Sequence, residues 1–169
     1  MRSGVVKHAM LIRPSTEGDA DAMWGILEPV LRAGETYALP RGWTRTETLA
    51  YWNGADHSVF VAEEAGEVLG TYYLHPNQMG GGAHVANCGY VTHGRAVGRG
   101  VARAMCVHSL QFAARQGFKA MQFNFVVSTN ERAVALWKGL GFEVVGRLPG
   151  AYEHPTLGFV DALVMYRIL

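Results

Sequence analysis

Gly89-Tyr90-Val91-Thr92-His93-Gly94-Arg95-Ala96-Val97-Gly98-Arg99-Gly100-Val101-Ala102 is the stretch on which the reading of this chain turns. It reads as the end of a strand, a tight loop and the start of a helix. On its N-terminal side Val85 to Val91 is apolar and β-rich. On its C-terminal side Val101, Met105, Val107, Leu110, Phe112 and Ala113 recur at mixed three- and four-residue steps, as in a buried helix. Three glycines and two arginines lie between them. Glycine admits φ > 0 and lets a ligand approach the main chain closely. First-turn helix amides have no internal acceptor, so Arg99, Gly100, Val101 and Ala102 are expected to aim free N–H groups and the positive dipole end at an anion such as a pyrophosphate.

Two nucleotide motifs fail here. A P-loop requires Lys-Ser or Lys-Thr after its last glycine, whereas Val101-Ala102 follows Gly100. A dinucleotide fingerprint requires an acidic residue about 20 residues on, where this chain reads Lys119-Ala120-Met121-Gln122.

The rest of the chain supplies a frame for that loop. Met10–Arg13 reads as a strand ended by Pro14, and Asp19 to Ala33 as a helix with one apolar stripe that Pro29 should kink. Residues 34–43 read as a loop, and Thr46 to Trp52 as a short helix. Ser58–Glu63 and Val68–Tyr73 form a hairpin signal, and the central strand follows at His84–Val91. After the long helix to Arg115 come a strand at Met121–Val127, a helix capped by Asn130 and ended by Gly141, and strands at Phe142–Leu148 and Asp161–Ile168 joined by a loop from Pro149 to Phe159. The order β-α-α-β-β-β-α-β-α-β-β predicts a mixed α/β (α+β) fold, with helices covering a partly antiparallel sheet.

Composition bounds the function. A chain of 169 residues, 49% hydrophobic and 17% charged, suits one globular domain; residues 10–169 are expected to form it, with 1–9 a disordered extension. Fifteen basic against fourteen acidic residues, without a basic run, leave no nucleic-acid footprint. No apolar run approaches the ~18 residues of a membrane span, and Arg2 and Lys7 are followed by no apolar h-region, so a secretory signal is not expected. Cys88 and Cys106 sit in apolar runs as small hydrophobes, which points to a reducing, cytoplasmic setting. His75, His84 and His93 are nine apart and lack metal-ligand spacing, so no metal is expected.

Val97-x-x-Gly100-x-Ala102, followed by Asn130-Glu131-Arg132-Ala133-Val134-Ala135-Leu136-Trp137-Lys138-Gly139-Leu140-Gly141-Phe142, resembles the acetyl-CoA-binding core of the GNAT superfamily of N-acetyltransferases. Arg95-x-x-Gly98-x-Gly100 satisfies the first pattern in a shifted register. The resemblance implies a seven-stranded sheet that splits between the fourth and fifth strands and is flanked by four helices. It also implies acetyl-CoA as cosubstrate, a small-molecule amine as acceptor, and a late strand pair that often forms a homodimer. Cofactor contacts would fall on Val91, Gly98, Arg99, Gly100, Val101, Ala102, Asn130 and Trp137. The backbone near Val91 or Thr92 would supply the oxyanion donor.

Two positions depart from the family pattern. A carboxylate base often stands where this chain has Asn87, and a Tyr that protonates the leaving thiolate often stands where it has Trp137. Neither amide nor indole can exchange a proton in this role. Trp137 is therefore assigned to cofactor packing, with core packing as the alternative.

Asn87 and Asn124 interrupt apolar runs on two strands; they either satisfy strand-edge backbone groups or grip an acceptor carboxylate. Asn87-Cys88-Gly89-Tyr90 with Phe123-Asn124-Phe125-Val126 resembles the branch of the family that acetylates proline analogues. Glu35-Thr36-Tyr37 with Trp52 resembles the phosphinothricin and methionine-sulfone acetyltransferases, so Glu35 and Tyr37 join the expected acceptor site. The leading expectation is direct acetyl transfer to an amino acid or analogue. The alternatives are a CoA-binding sensor or assembly subunit, which the missing base and acid favour, and a protein N-terminal acetyltransferase.

Overall fold

The structure, a computed structural model, describes residues 9–169; most of the expected N-terminal extension lies outside the described residues. Seven strands form one sheet: β1 (Leu11–Pro14), β2 (Ser58–Glu64), β3 (Glu67–Pro76), β4 (Val85–Thr92), β5 (Ala120–Val127), β6 (Glu143–His154) and β7 (Gly158–Ile168), in the order β1-β2-β3-β4-β5-β7-β6. Among the described residues the α-helices are α1 (Ala20–Ala33), α2 (Arg45–Trp52), α3 (Val101–Arg115) and α4 (Glu131–Gly139). All neighbouring strands are antiparallel except β4 and β5.

That parallel pair determines the shape of the molecule. Only Val85↔Ala120 and Ala86↔Met121 are in register, after which β4 and β5 separate. Period-two alternation sends successive β4 side chains to opposite faces. Ala86 and Cys88 pack with Met105 and Cys106 of α3 and with Trp137 of α4. Val91 packs on the other face with Met23, Ile26 and Leu27 of α1 and with Trp52 of α2. The buried Trp52 indole N–H donates to Thr71 Oγ1 at 3.0 Å, and Thr71 donates to Phe60 O at 2.9 Å, so this polar pair is satisfied inside the second core.

Helix boundaries follow local chemistry. Thr44 and Glu47 form a capping box at α2, and the Asn130 side chain accepts from Ala133 N at 3.4 Å at the start of α4. Helix α1 runs through Pro29 to Ala33 and ends at Gly34, whose φ of 64° suits its C-cap position. The expected loop from Pro149 to Phe159 is mostly strand. β6 continues to His154, and only Pro155 to Leu157 separates it from β7. Pro149 and Gly150 fall at a register shift between Leu148 and Tyr152 on an edge strand, where a missing N–H is tolerated. Among the described residues no helix is long and apolar enough to cross a membrane.

Candidate active site

The divergence of β4 from β5 opens a cleft of about 720 Å³. Which β4 backbone groups face it follows from the hydrogen-bond alternation. His93 N donates to Leu69 O and Asn77 N donates to Val85 O, both at 2.8 Å, and the β3–β4 register between them is unbroken. Odd-numbered β4 residues therefore bond to β3, and even-numbered ones turn toward β5. Lys119 N donating to His84 O at 2.8 Å agrees with this parity.

Beyond Ala86 the even-numbered residues Cys88, Tyr90 and Thr92 have no strand opposite them and direct their N–H groups into the cleft. Tyr90 O accepts from the Tyr37 hydroxyl at 3.1 Å. The expectation that placed a donor near Val91 or Thr92 is thereby sharpened. The Val91 amide is directed to Thr71 on β3, so Val91 contributes its buried side chain to the lining, while Tyr90 and Thr92 carry the free amides.

The loop after β4 closes the anion end. Gly98 and Gly100 have φ of 81° and 83°, and a Cβ on Gly100 would meet nothing within 4 Å, leaving the main chain approachable. The first helical hydrogen bond of α3 runs from Ala104 N to Gly100 O, so the Val101, Ala102 and Arg103 amides lie before the helical ladder begins. Arg103 of α3 and Arg132 of α4 line the same end, and Asn130 lies beside them.

Arg99 corrects the sequence reading. Its amide donates to Ala96 O at 3.1 Å and its guanidinium pairs with Glu64, so it turns away from the cleft. Arg95 pairs with Glu67 in the same way. Lys138 of α4 does not line the cleft. The residues present fit the phosphates and chain of acetyl-CoA: free amides, positive-φ glycines and two arginines at one end, with an unpaired strand edge leading inward.

The inner end is aromatic and amide-lined. Tyr37, Tyr51 and Tyr73 form one wall, and Tyr73 meets Trp52 edge-on with centroids 4.8 Å apart. A Cβ on Gly89 would stand 2.6 Å from the Tyr73 ring and 2.9 Å from the Tyr37 hydroxyl, so glycine lets both rings lie against β4. The Tyr152 hydroxyl donates to Gly34 O at 2.6 Å and lies 3.1 Å from Tyr37 O, fastening the 34–37 loop to β6. Glu35 is exposed and does not line the cleft, which removes it from the expected acceptor site. Tyr51 and Tyr73 escaped the sequence reading because tyrosine in a helix or a strand reads as ordinary packing.

Asn87 and Asn124 both line the cleft. Asn87, 8% exposed, donates from Nδ2 to Gln122 O at 2.9 Å and so bridges β4 and β5 where their ladder ends. Asn124, in the irregular part of β5, donates to Asn77 Oδ1 at 2.7 Å and accepts from Gln122 Nε2 at 2.9 Å. Trp137 is 8% exposed and packs against Tyr90 and Phe123 with centroids 5.1 and 5.2 Å apart.

Among the described residues the cleft is lined by no Asp, Glu, His or Lys. Burial holds the Tyr37, Tyr73 and Tyr90 hydroxyls and the Cys88 thiol well above their ordinary ranges, so each remains neutral at physiological pH. The second cysteine, Cys106, is pushed up to about 12, chiefly by burial. Both cysteines are free and buried, and neither provides a thiolate nucleophile.

Comparisons with known proteins agree with this geometry. The model of the Acetyltransferase (GNAT) family matches residues 24–142. N-acetyltransferase aca1 of Schizosaccharomyces pombe is 35% identical over 98 residues, 57% of this chain and 47% of that protein, so the chain spans about half the length of this relative. A GCN5-related N-acetyltransferase from Kribbella flavida has 41% identity and a TM-score of 0.91, over 95% of this chain and 98% of that one. A phosphinothricin acetyltransferase from Sinorhizobium meliloti, solved with acetyl-CoA, shares the fold with a TM-score of 0.82 at 19% identity, over 95% of this chain and 88% of that one. The split sheet, the glycine loop at the head of α3 and the family match over most of the chain agree: this chain belongs to the GNAT family of N-acetyltransferases.

Proposed function

We propose that the protein transfers an acetyl group from acetyl-CoA directly to the amine of a small molecule, an amino acid or close analogue. The observation that carries this reading is the open β4 edge, whose Tyr90 and Thr92 amides face a cleft headed by the N-terminus of α3. Bound there, acetyl-CoA would supply an activated acyl carbon.

The chain's own contribution is positional and electrostatic. Amides fixed on a strand can stabilise negative charge on the acyl oxygen without reorganising, the kind of donor whose removal costs roughly 2.7–4 kcal/mol in other acyl-transfer sites. The aromatic wall holds the acceptor and excludes water, so proximity supplies part of the rate. Trp137 lines the cleft with an indole that cannot protonate a thiolate, the Tyr37, Tyr73 and Tyr90 hydroxyls are held well above their ordinary range, and Cys88 is neutral, so the cleft offers no strong protein acid for the thiolate and no covalent nucleophile. The acceptor therefore has to arrive as the free amine, and solvent takes its proton.

The lining also argues for the acceptor class. A polyamine or aminoglycoside needs carboxylates to meet its extra positive charges, and this lining has none. The Asn87 and Asn124 amides and the tyrosine hydroxyls can instead meet a carboxylate or a neutral polar group.

A thiol-release assay over amines, amino acids and analogues, polyamines, aminoglycosides and peptides tests the reading. Turnover with the amino-acid arm is expected. Turnover confined to polyamines or peptides refutes the acceptor class, and turnover with none favours a CoA-binding sensor, to which the missing acid and base would then point. Within the amino-acid reading, Asn124→Ala should lose one charge-assisted hydrogen bond, roughly 1.5–3 kcal/mol, seen as a higher acceptor KM with the acetyl-CoA KM unchanged. A lower melting temperature with an unaltered acceptor KM would make Asn124 merely a bridge between strands.

A further inference from the structure

Behind the aromatic wall, three metal-competent side chains converge outside the cleft. Asp56 and His57 sit on the turn between α2 and β2, and His75 lies near the end of β3; their ligand atoms all fall within 4.8 Å of one another. We propose that Asp56, His57 and His75 form a binding site for one divalent transition-metal ion of the Zn²⁺ class.

The geometry is built rather than incidental. His57 Nδ1 lies 2.8 Å from Trp52 O. A carbonyl can only accept, so this bond places the ring proton on Nδ1 and leaves the Nε2 lone pair free. Such outer hydrogen bonds commonly orient metal-ligating histidines. That Nε2 lies 3.7 Å from Asp56 Oδ1, and His75 Nδ1 lies 3.6 Å from Asp56 Oδ2.

Both separations are too long for hydrogen bonds. They are close to the edge of a tetrahedron around a zinc ion with bonds of about 2.0–2.2 Å, which is roughly 3.4 Å. The two imidazoles stack with centroids 4.6 Å apart and an interplanar angle of 29°. Gly54 makes room beside His57, since a Cβ there would stand 3.1 Å from its ring. Among the described residues Asp56 has no Lys or Arg partner, so its charge is met by no cation of the chain.

Histidine spacing along the chain argued against a metal because it compared His75 with His84 and His93. The fold instead pairs His75 with an adjacent Asp-His dipeptide eighteen and nineteen residues earlier. Two imidazoles and one carboxylate leave coordination positions for water, and this donor set suits Zn²⁺ over Mg²⁺ or Ca²⁺. The ion would tie the α2–β2 turn to β3. His57 stacks on Tyr73 with centroids 4.5 Å apart, and His75 lies opposite Asn87 on β4, so the tie would stiffen the wall of the acceptor pocket.

The test uses the full chain, free of any affinity tag and stripped of metal with a chelator. Co²⁺ should give a visible d–d band that saturates at one equivalent and is displaced by Zn²⁺, and Zn²⁺ should raise the melting temperature. His75→Asn and the more exposed Asp56→Asn should each abolish the band and the thermal shift, while acetyl-CoA binding persists. A wild type that shows neither signal overturns the proposal. Signals retained in both variants overturn it too, because the ion then binds elsewhere.

Discussion

Gly100 offers the most direct test of where the cofactor's phosphates sit. Its backbone has φ of 83° and ψ of 8°, left-handed geometry at the N-cap of α3. An L-residue there costs about 1–2 kcal/mol, more when β-branched and less for Asn. Because an added Cβ would meet no protein atom within 4 Å, the structural cost is torsional and packing does not add to it. At roughly 2–4 °C per kcal/mol for a chain of this length, Gly100→Ala should lower Tm by about 2–8 °C. Gly100→Asn should lower it less and Gly100→Val more.

The binding cost has a different origin. The Cβ would project into the open mouth beside the Val101 and Ala102 amides and hold a phosphate away from them. One lost charge-assisted hydrogen bond of roughly 1.5–3 kcal/mol corresponds to roughly 10- to 150-fold weaker acetyl-CoA binding. Calorimetric titration at fixed ionic strength, with melting curves on the same samples, separates the two costs. If Gly100→Val shows the thermal loss while its acetyl-CoA Kd stays within about twofold of wild type, the phosphates do not lie at this helix terminus.

Two further outcomes follow from the ionisable groups. With no Asp, Glu, His or Lys lining the cleft, kcat/KM should rise between pH ~6 and ~9 with the free-amine fraction of the acceptor, and its inflection should move when the acceptor's amine pKa changes. An inflection fixed at one pH for all acceptors would reveal a protein base. The second outcome concerns Asp19, whose carboxyl is held well below the usual range first by hydrogen bonds from Arg13 and then by those from Thr16, against the opposing effect of burial. A depressed folded pKa gives stability that is present above the unfolded value of ~3.9 and lost as pH falls below it. Asp19→Asn should therefore cost roughly 2–3 kcal/mol at pH 7, with the Tm gap to wild type beginning to narrow only as pH falls below ~4 and narrowing further toward pH ~2; a gap that stays constant from pH 7 to pH ~2 would refute the linkage.

How much of this could be read from the chain depended on how local the determining physics was. Caps and breakers are local, so the glycine loop ahead of α3, the Asn130 cap of α4 and the Gly141 stop appear in the structure where the sequence placed them. Strand amide direction is not local. Period two says that Tyr90 and Thr92 share a direction and Val91 opposes them, but only the pairing with β3 shows which set faces the opening. Arg99 was misplaced for a related reason, because its amide closes a turn onto Ala96 that residue types alone do not announce. Pro149 and Gly150 read as a loop although an edge strand with a register shift accommodates both. The Asp56, His57 and His75 cluster depends on a β3 residue meeting a turn that precedes β2, a contact invisible to any spacing rule.

The split itself argues that the fold is shaped by its ligand. Continuing the β4–β5 ladder past Ala86 would have satisfied the Cys88, Tyr90 and Thr92 backbone groups internally. Leaving a polar group buried without a partner costs about 1–3 kcal/mol, so an apolar-walled opening that exposes several must be filled by water or by a ligand with matching donors and acceptors. Asn87 marks where that choice is made. It stands one residue past the last β4–β5 pair, and its side chain supplies the cross-strand bond to Gln122 O in place of the backbone that has turned away. This side-chain bridge ends the ladder without leaving the Gln122 carbonyl unpaired. The strands then part around the cleft, which the same residue lines.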